Sequence, residues 1–310
     1  MHKGFHKGTI FGALAYLMWG FFPIYFKLLH QVPAVQILGH RVVWSLLFLL
    51  ILVAGVREGK ALRRSASNSR TLLIYLLAAV LLAANWLTYI WAVNAGFVVE
   101  ASLGYFINPL MNVVLGVIIL HERLRAAQWA PIGLAAAGVI YLTILYGSLP
   151  WIALMLALTF ASYGLVKKMA PLGALHSLTL ETGLLFVPAL GYLLWMAKIG
   201  EGAFISQGAG ITFLLASAGV ITAVPLLLFG RAARSVPLST LGIIQFITPT
   251  CQFLLGVFVY GEQFSLARLV GFLCIWLALL LYIGEGLIAQ RRQAAQTAAY
   301  SMGQTLTTGE

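Results

Sequence analysis

Stretches of about twenty apolar residues, nearly free of charge, follow one another along this chain with short polar breaks between them. Each is long enough to cross roughly 30 Å of hydrocarbon as a helix. The pattern predicts ten spans, at 8–29, 35–55, 71–94, 101–120, 127–146, 149–167, 177–198, 211–231, 239–260 and 267–288. Only Gly147 and Ser148 divide the fifth from the sixth, and Pro150 marks the break because proline suits a helix's first turn. The short alternating segments of a barrel are absent. Residues 289–310, rich in Gln, Ala and Thr, read as a mobile cytoplasmic tail outside the core.

Within these spans one motif occurs twice. Pro109, Gly116 and Glu122 recur as Pro249, Gly256 and Glu262, so the frame Pro-x6-Gly-x5-Glu repeats 140 positions later. Each copy carries a polar stripe: Tyr105, Asn108 and Asn112 in the first, Gln245, Thr248 and Gln252 in the second. At the helical period, the stripe and the glycine of each copy fall within roughly 80° of one another on one face. A fainter echo relates Tyr16-x-x-Trp19-Gly20 to Phe160-x-x-Tyr163-Gly164. The fold expected is an all-α integral membrane protein of ten helices in two five-helix repeats, residues 1–147 and 148–288. Five spans is an odd number, so the second repeat enters the membrane inverted relative to the first. Interrupted helices that meet at mid-membrane in such a pair are the usual site of a transporter, with Pro109, Pro249, Gly116 and Gly256 as hinges.

Composition removes the soluble classes. The chain is 61% hydrophobic and 9% charged with mean hydropathy +0.96, against a charged fraction of about 25% in soluble domains. The net charge of +11 is a topology signal. Under the ten-span reading one side of the membrane holds every Lys and Arg except Lys27, Arg41, Lys198 and Arg268, which places both termini in the cytoplasm. Basic residues spread over several loops form no nucleic-acid footprint. The apolar run after Lys3 and Lys7 is too long for a signal peptide and is kept as the first span. Cys251 and Cys274 read as small apolar fillers, and no ligand spacing suggests a metal.

The polar stripes should face the bundle interior, because an amide in lipid leaves donors and acceptors unpaired. They line a substrate chamber or they bond neighbouring helices. Asn85 and Tyr89 on the third span, and Tyr16 and Trp19 on the first, add further walls, while Trp91 reads as an interfacial belt residue. Lys27, His40 and Arg41 cluster toward the outer surface, where a cation either draws in a carboxylate or phosphate or snorkels to headgroups. Glu181, the most embedded carboxylate, carries a coupling proton or pairs with a neighbour. Glu122 and Glu262 read as structural, bonding exposed helix ends.

The strings His40-Arg-Val-Val-Trp-Ser45, Asn85-Trp-Leu-Thr-Tyr-Ile-Trp-Ala-Val-Asn94, Glu100-Ala-Ser-Leu-Gly-Tyr-Phe-Ile-Asn-Pro109 and Pro237-Leu-Ser-Thr-Leu-Gly242 resemble the RarD group of permeases in the drug/metabolite transporter (EamA-like) superfamily. The resemblance runs from about residue 8 to 288. It implies a bacterial inner-membrane protein of two inverted five-helix repeats with a central site between them. One position departs from the group's pattern: Gln36 stands where Glu is expected, and an amide does not titrate.

The function expected is a secondary transporter that moves a small polar or amphipathic metabolite by alternating access. Its substrate could bear a carboxylate. It acts as a monomer or homodimer, with no cofactor, no metal and no nucleic acid. No Gly-x4-Gly-Lys-Ser/Thr loop is present to drive transport with ATP. A membrane-embedded enzyme is disfavoured, since the chain has no Asp and its His residues are scattered. A sensor or partner subunit that binds a metabolite without moving it stays open.

Overall fold

The computed structural model describes residues 2–94, 98–147, 151–259 and 266–307. No strand occurs among them. Helix α1 (His2–Gly20) turns at Phe21 into α2 (Phe22–Leu28), where Pro23 sits in the first turn and removes no intrahelical bond. Then come α3 (Ala34–Gly55), the short exposed α4 (Gly59–Ala66), α5 (Ser69–Asn94), α6 (Val98–Ile118) and α7 (Ala126–Tyr146). Gly147, at φ 74°, ends α7 at the expected division, and α8 (Trp151–Met169), α9 (Ala174–Lys198) and α10 (Ala209–Ser235) follow. Pro150 and Glu262 lie outside the described residues.

The predicted ninth span is not one rod. It is built of α11 (Leu238–Gln245), α12 (Ile247–Leu254) and a π-helical turn, Leu255–Val259, that contains Gly256. Pro249 accounts for the break at Phe246. It has no N–H to give the Gln245 carbonyl, and its ring crowds that same carbonyl. Pro109 behaves differently: it is accommodated inside an unbroken α6, so the two prolines are not equivalent hinges. The last helix, α13 (Leu266–Thr307), carries on through the segment expected to be a mobile tail.

Among the described residues eight helical stretches are long and apolar enough to cross a membrane, and Gly104–Ile118 is a shorter apolar one. The distribution of side chains is that of a membrane protein. Large apolar residues such as Leu73, Val187 and Phe213 are exposed, while Gln36, Arg41, Asn112, Lys167, Glu181 and Gln245 are buried. Hydrocarbon solvates the former, and the latter find partners only inside the bundle.

Contacts group the chain into two compact units, residues 1–122 with 146–263, and 123–145 with 264–310. These are not the two sequence halves, because packing draws α7 and α13 together. In the smaller unit Arg125 pairs with Glu285 at 2.6 Å and the Gln128 amide donates to the Tyr282 hydroxyl at 3.1 Å. In the larger unit α6 lies along α8 and α11, α1 along α10 and α12, α5 along α8 and α9, and α3 along α9 and α10. Gly242 permits the α6–α11 approach: a Cβ there would stand 2.5 Å from the Pro109 carbonyl oxygen and 2.9 Å from the Asn112 Cβ. No larger residue fits without parting the two helices.

Candidate functional site

Inside the larger unit the helices leave a cleft of about 780 Å³, counted out to its open side. Its walls are of three kinds. Trp19, Phe22, Phe26, Trp86, Tyr89 and Phe160 present rings; Asn85, Asn108, Gln245 and Gln252 present amides; Arg41 presents the cation. Tyr105 and Thr248 complete the polar part.

The amides are held from behind. Asn85 Nδ2 donates to the Leu156 carbonyl at 2.9 Å and to Thr159 Oγ1 at 3.0 Å. Asn108 Nδ2 reaches the Ala157 carbonyl at 3.4 Å, and Thr248 Oγ1 donates to the Tyr16 carbonyl at 2.8 Å. Asn112 does not line the cleft. One turn deeper, its Nδ2 donates to Asn108 Oδ1 at 3.2 Å and to Gln245 Oε1 at 2.9 Å. Among the described residues no protein acceptor takes the Gln245 amide N–H groups, so that edge is available to a ligand. Asn85 and Gln245 thus each spend one end on positioning and keep the other for the cleft, while Asn108 is held at both ends.

Arg41 is buried, 4% exposed. Its Nε donates to Thr222 Oγ1 at 2.9 Å, and its guanidinium carbon stands 4.3 Å from the Trp86 ring centre, 5.5 Å from Phe26 and 5.9 Å from Phe22. No carboxylate pairs with it among the described residues. A cation–π contact is worth about 2 kcal/mol when desolvated, and a hydrogen bond to a charged group about 1.5–3 kcal/mol. The effective cost of taking an ion out of water is several kcal/mol, so these contacts roughly hold Arg41 in place and leave it short of a counter-charge.

Behind Trp19 and Phe160 of the cleft wall lies an aromatic cluster. Phe229, fully buried, is the hub of an aromatic floor. Tyr163 stacks on it at 6.0 Å and 13°, Phe160 lies 5.3 Å away and Trp19 5.6 Å. Tyr16 belongs to this floor, edge-on to Phe229 at 6.2 Å, and does not line the cleft. Beneath it Lys167 Nζ bonds Glu181 Oε1 at 2.7 Å and Ser177 Oγ at 2.6 Å, while the Tyr163 hydroxyl donates to Glu181 Oε2 at 2.9 Å. Glu181 is therefore a paired group outside the cleft. Last comes Glu122, whose carboxylate accepts the backbone N–H of Leu238 at 2.6 Å, that of Ser239 at 3.0 Å and the Ser239 hydroxyl at 2.7 Å. It caps the N-terminus of α11, where unpaired N–H groups and the helix dipole favour an anion. Lys168 Nζ stands 3.9 Å from the same carboxylate and donates to the Val236 carbonyl at 2.6 Å. Gly116 gives Glu122 its space, since a Cβ there would sit 2.7 Å from Glu122 Oε2.

Lys27 does not enter the cleft. It lies exposed on the last turn of α2, where the turn at Phe21 aims Phe22 and Phe26 inward in its place. Gln36 is fully buried at the start of α3. Its Nε2 donates to the Glu201 carbonyl at 2.7 Å and its Oε1 accepts the Ala203 N–H at 2.8 Å. A carboxylate would serve only the second bond, so the amide at this position is a two-way tether to the loop between α9 and α10.

Residues 6–144 match the model of the EamA-like transporter family. The chain is 46% identical over 292 residues to a protein from Streptomyces exfoliatus called Protein RarD, covering 94% of this chain and 93% of that one. It is 42% identical to Protein RarD of Escherichia coli, covering 94% and 98% of the two chains. The chain belongs to the RarD group of the EamA-like transporter family. An uncharacterised transporter of Bacillus subtilis, YojE, is 46% identical over 91% of this chain and 95% of its own. A protein of known crystal structure superposes with TM-score 0.67 over 89% of this chain and 96% of its own at 16% identity, which shows a shared fold. This RarD-group member is a membrane protein of transporter type.

Proposed function

We propose that this permease is a secondary transporter that carries a small polar or amphipathic organic metabolite across the bacterial inner membrane through the cleft lined by α1, α2, α3, α5, α6, α8, α10, α11 and α12. The observation that carries the reading is the joining of the two repeat copies at the cleft: Asn112 of the first bonds Gln245 of the second at 2.9 Å. A pair of matching repeats is supported by the packing of the first four spans of each half. Exchange α1 with α8, α3 with α9, α5 with α10 and α6 with α11–α12, and each main contact of the larger unit maps onto another or onto itself. The α6–α8 contact becomes α12–α1, α1–α10 becomes α8–α5, and α3–α10 becomes α9–α5. Such a pair has two packings of similar energy, one open to each side.

With both termini cytoplasmic, the end sealed by Phe229, the Lys167–Glu181 pair and the Glu122 cap faces the cytoplasm, and the cleft opens outward. Substrate enters among the rings and is oriented by the amides. Rocking of the repeats then parts the Glu122 cap and releases it. The test is a flux assay on purified protein in vesicles loaded with a bacterial metabolite extract. Protein-dependent movement of at least one metabolite, reduced in Gln245→Ala, supports the reading. Binding without movement across the whole extract makes the protein a sensor or partner subunit and overturns it.

A further inference from the structure

Arg41 is the one charged side chain on the cleft wall among the described residues, and its fork is mostly unspent. A guanidinium has five N–H donors in a fixed plane. Thr222 takes the Nε donor, and among the described residues no protein acceptor takes those of the two terminal nitrogens. The face of the plane is covered by Trp86 at 4.3 Å, with Phe26 and Phe22 farther off. Stacking on one side and the Thr222 bond at the stem hold the group still, which lowers the entropy lost when a planar anion meets its edge. Across the same cleft, Gln245 offers amide N–H groups and Asn85 a carbonyl oxygen whose own amide nitrogen is already engaged.

We propose that Arg41 is the anion subsite of this cleft and that the transported substrate is an organic carboxylate with a flat or aromatic body. The carboxylate accepts two parallel N–H bonds from the Arg41 edge. The body lies among Trp19, Trp86 and Phe160, and a polar group at its far end meets Gln245 and Asn85. Thr222 acts as a positioning residue, since it touches the guanidinium stem and does not line the cleft. The proposal names the substrate class of the transport site described above and rests on that reading, yet its test is a binding measurement. It can fail while flux of a neutral substrate is observed, and it can hold while flux is absent.

The experiment uses the full chain in lipid nanodiscs and three probes of one body and different charge: indole-3-acetate, indole-3-acetamide and tryptamine. Binding is read by calorimetry and by the rise in melting temperature. The acetate is expected to bind at least about tenfold more tightly than the amide, as a charge-assisted bidentate pair requires, and tryptamine more weakly still. Arg41→Gln should bring acetate and amide to within about twofold of each other, while Arg41→Lys keeps the preference for the acid with reduced affinity. Thr222→Val should weaken acetate binding and leave that of the amide unchanged. Equal binding of acid and amide to the unaltered protein, failure of all three probes to bind, or a preference for the acid that survives in Arg41→Gln would each overturn the assignment.

Discussion

Asn112 and Gln245, one from each copy of the repeated frame, share a hydrogen bond of 2.9 Å directly beneath the cleft. Both are buried, and Gly242 lets their helices approach closely enough for it. The bond joins α6 to α11 at the level where Pro249 interrupts the ninth span. A double-mutant cycle with Asn112→Ala and Gln245→Ala should return a coupling of about 0.5–3 kcal/mol in apparent stability. Strict additivity of the two substitutions would remove this contact from the account.

The Glu122 cap makes two predictions that must agree. Glu122→Ala leaves the first N–H groups of α11 unpaired and should cost about 0.5–2 kcal/mol of apparent stability. Gly116→Ala leaves the carboxylate in the chain but places a methyl 2.7 Å from Glu122 Oε2, so it should reproduce most of that loss. If Gly116→Ala melts at the temperature of the unaltered protein, the carboxylate does not occupy the position described.

Lys167 and Glu181 form a buried ion pair, and such pairs respond unequally to single and double removal. Lys167→Met strands a buried carboxylate and should cost about 3–5 kcal/mol, whereas Lys167→Met with Glu181→Leu should come back close to the unaltered stability. Thermal unfolding of the two variants and the unaltered protein in one detergent decides it. A double variant no more stable than the single one contradicts the pairing.

Much of the cleft was legible in the sequence, and the failures have separate physical causes. Arg41, Asn85, Tyr89, Tyr105, Asn108, Gln245, Thr248 and Gln252 all line it, because a polar group between apolar spans has few places to go other than a wet interior. Tyr16 and Asn112 were expected on the same faces, and in the structure each sits about one turn too deep to reach the cleft. A helical wheel gives direction and says nothing of depth. Lys27 missed because the turn at Phe21 rotates α2 away from a straight projection of α1. Phe22 and Phe26 left no signal, and Trp86 beside the Asn85 face and Phe160 in the repeated echo only a faint one, since an aromatic ring suits lipid, floor and cleft alike. Partnering across long separations was equally invisible: Glu122 meets the backbone at Leu238 and Ser239, and nothing local to either segment predicts it.

Gln36 tests the reading of a departure from the group's pattern. Gln36→Glu keeps an acceptor for the Ala203 N–H but loses the donor to the Glu201 carbonyl and buries a carboxyl group. It should lower apparent stability by about 1–3 kcal/mol, the cost of an unmet buried polar group. A melting temperature unchanged or raised in Gln36→Glu would show that the tether to the α9–α10 loop does not contribute.

Access to the cleft from each side of the membrane in turn is the claim on which the transport reading stands. Phe22→Cys, in a chain with Cys251→Ser and Cys274→Ser, places a thiol on the cleft wall. Labelling it with a membrane-impermeant maleimide in oriented vesicles of both orientations measures access from each face. The account predicts fast labelling from the outer face, slow labelling from the cytoplasmic face, and a shift toward the cytoplasmic face in Glu122→Ala. Labelling confined to the outer face, with or without Glu122, would contradict it.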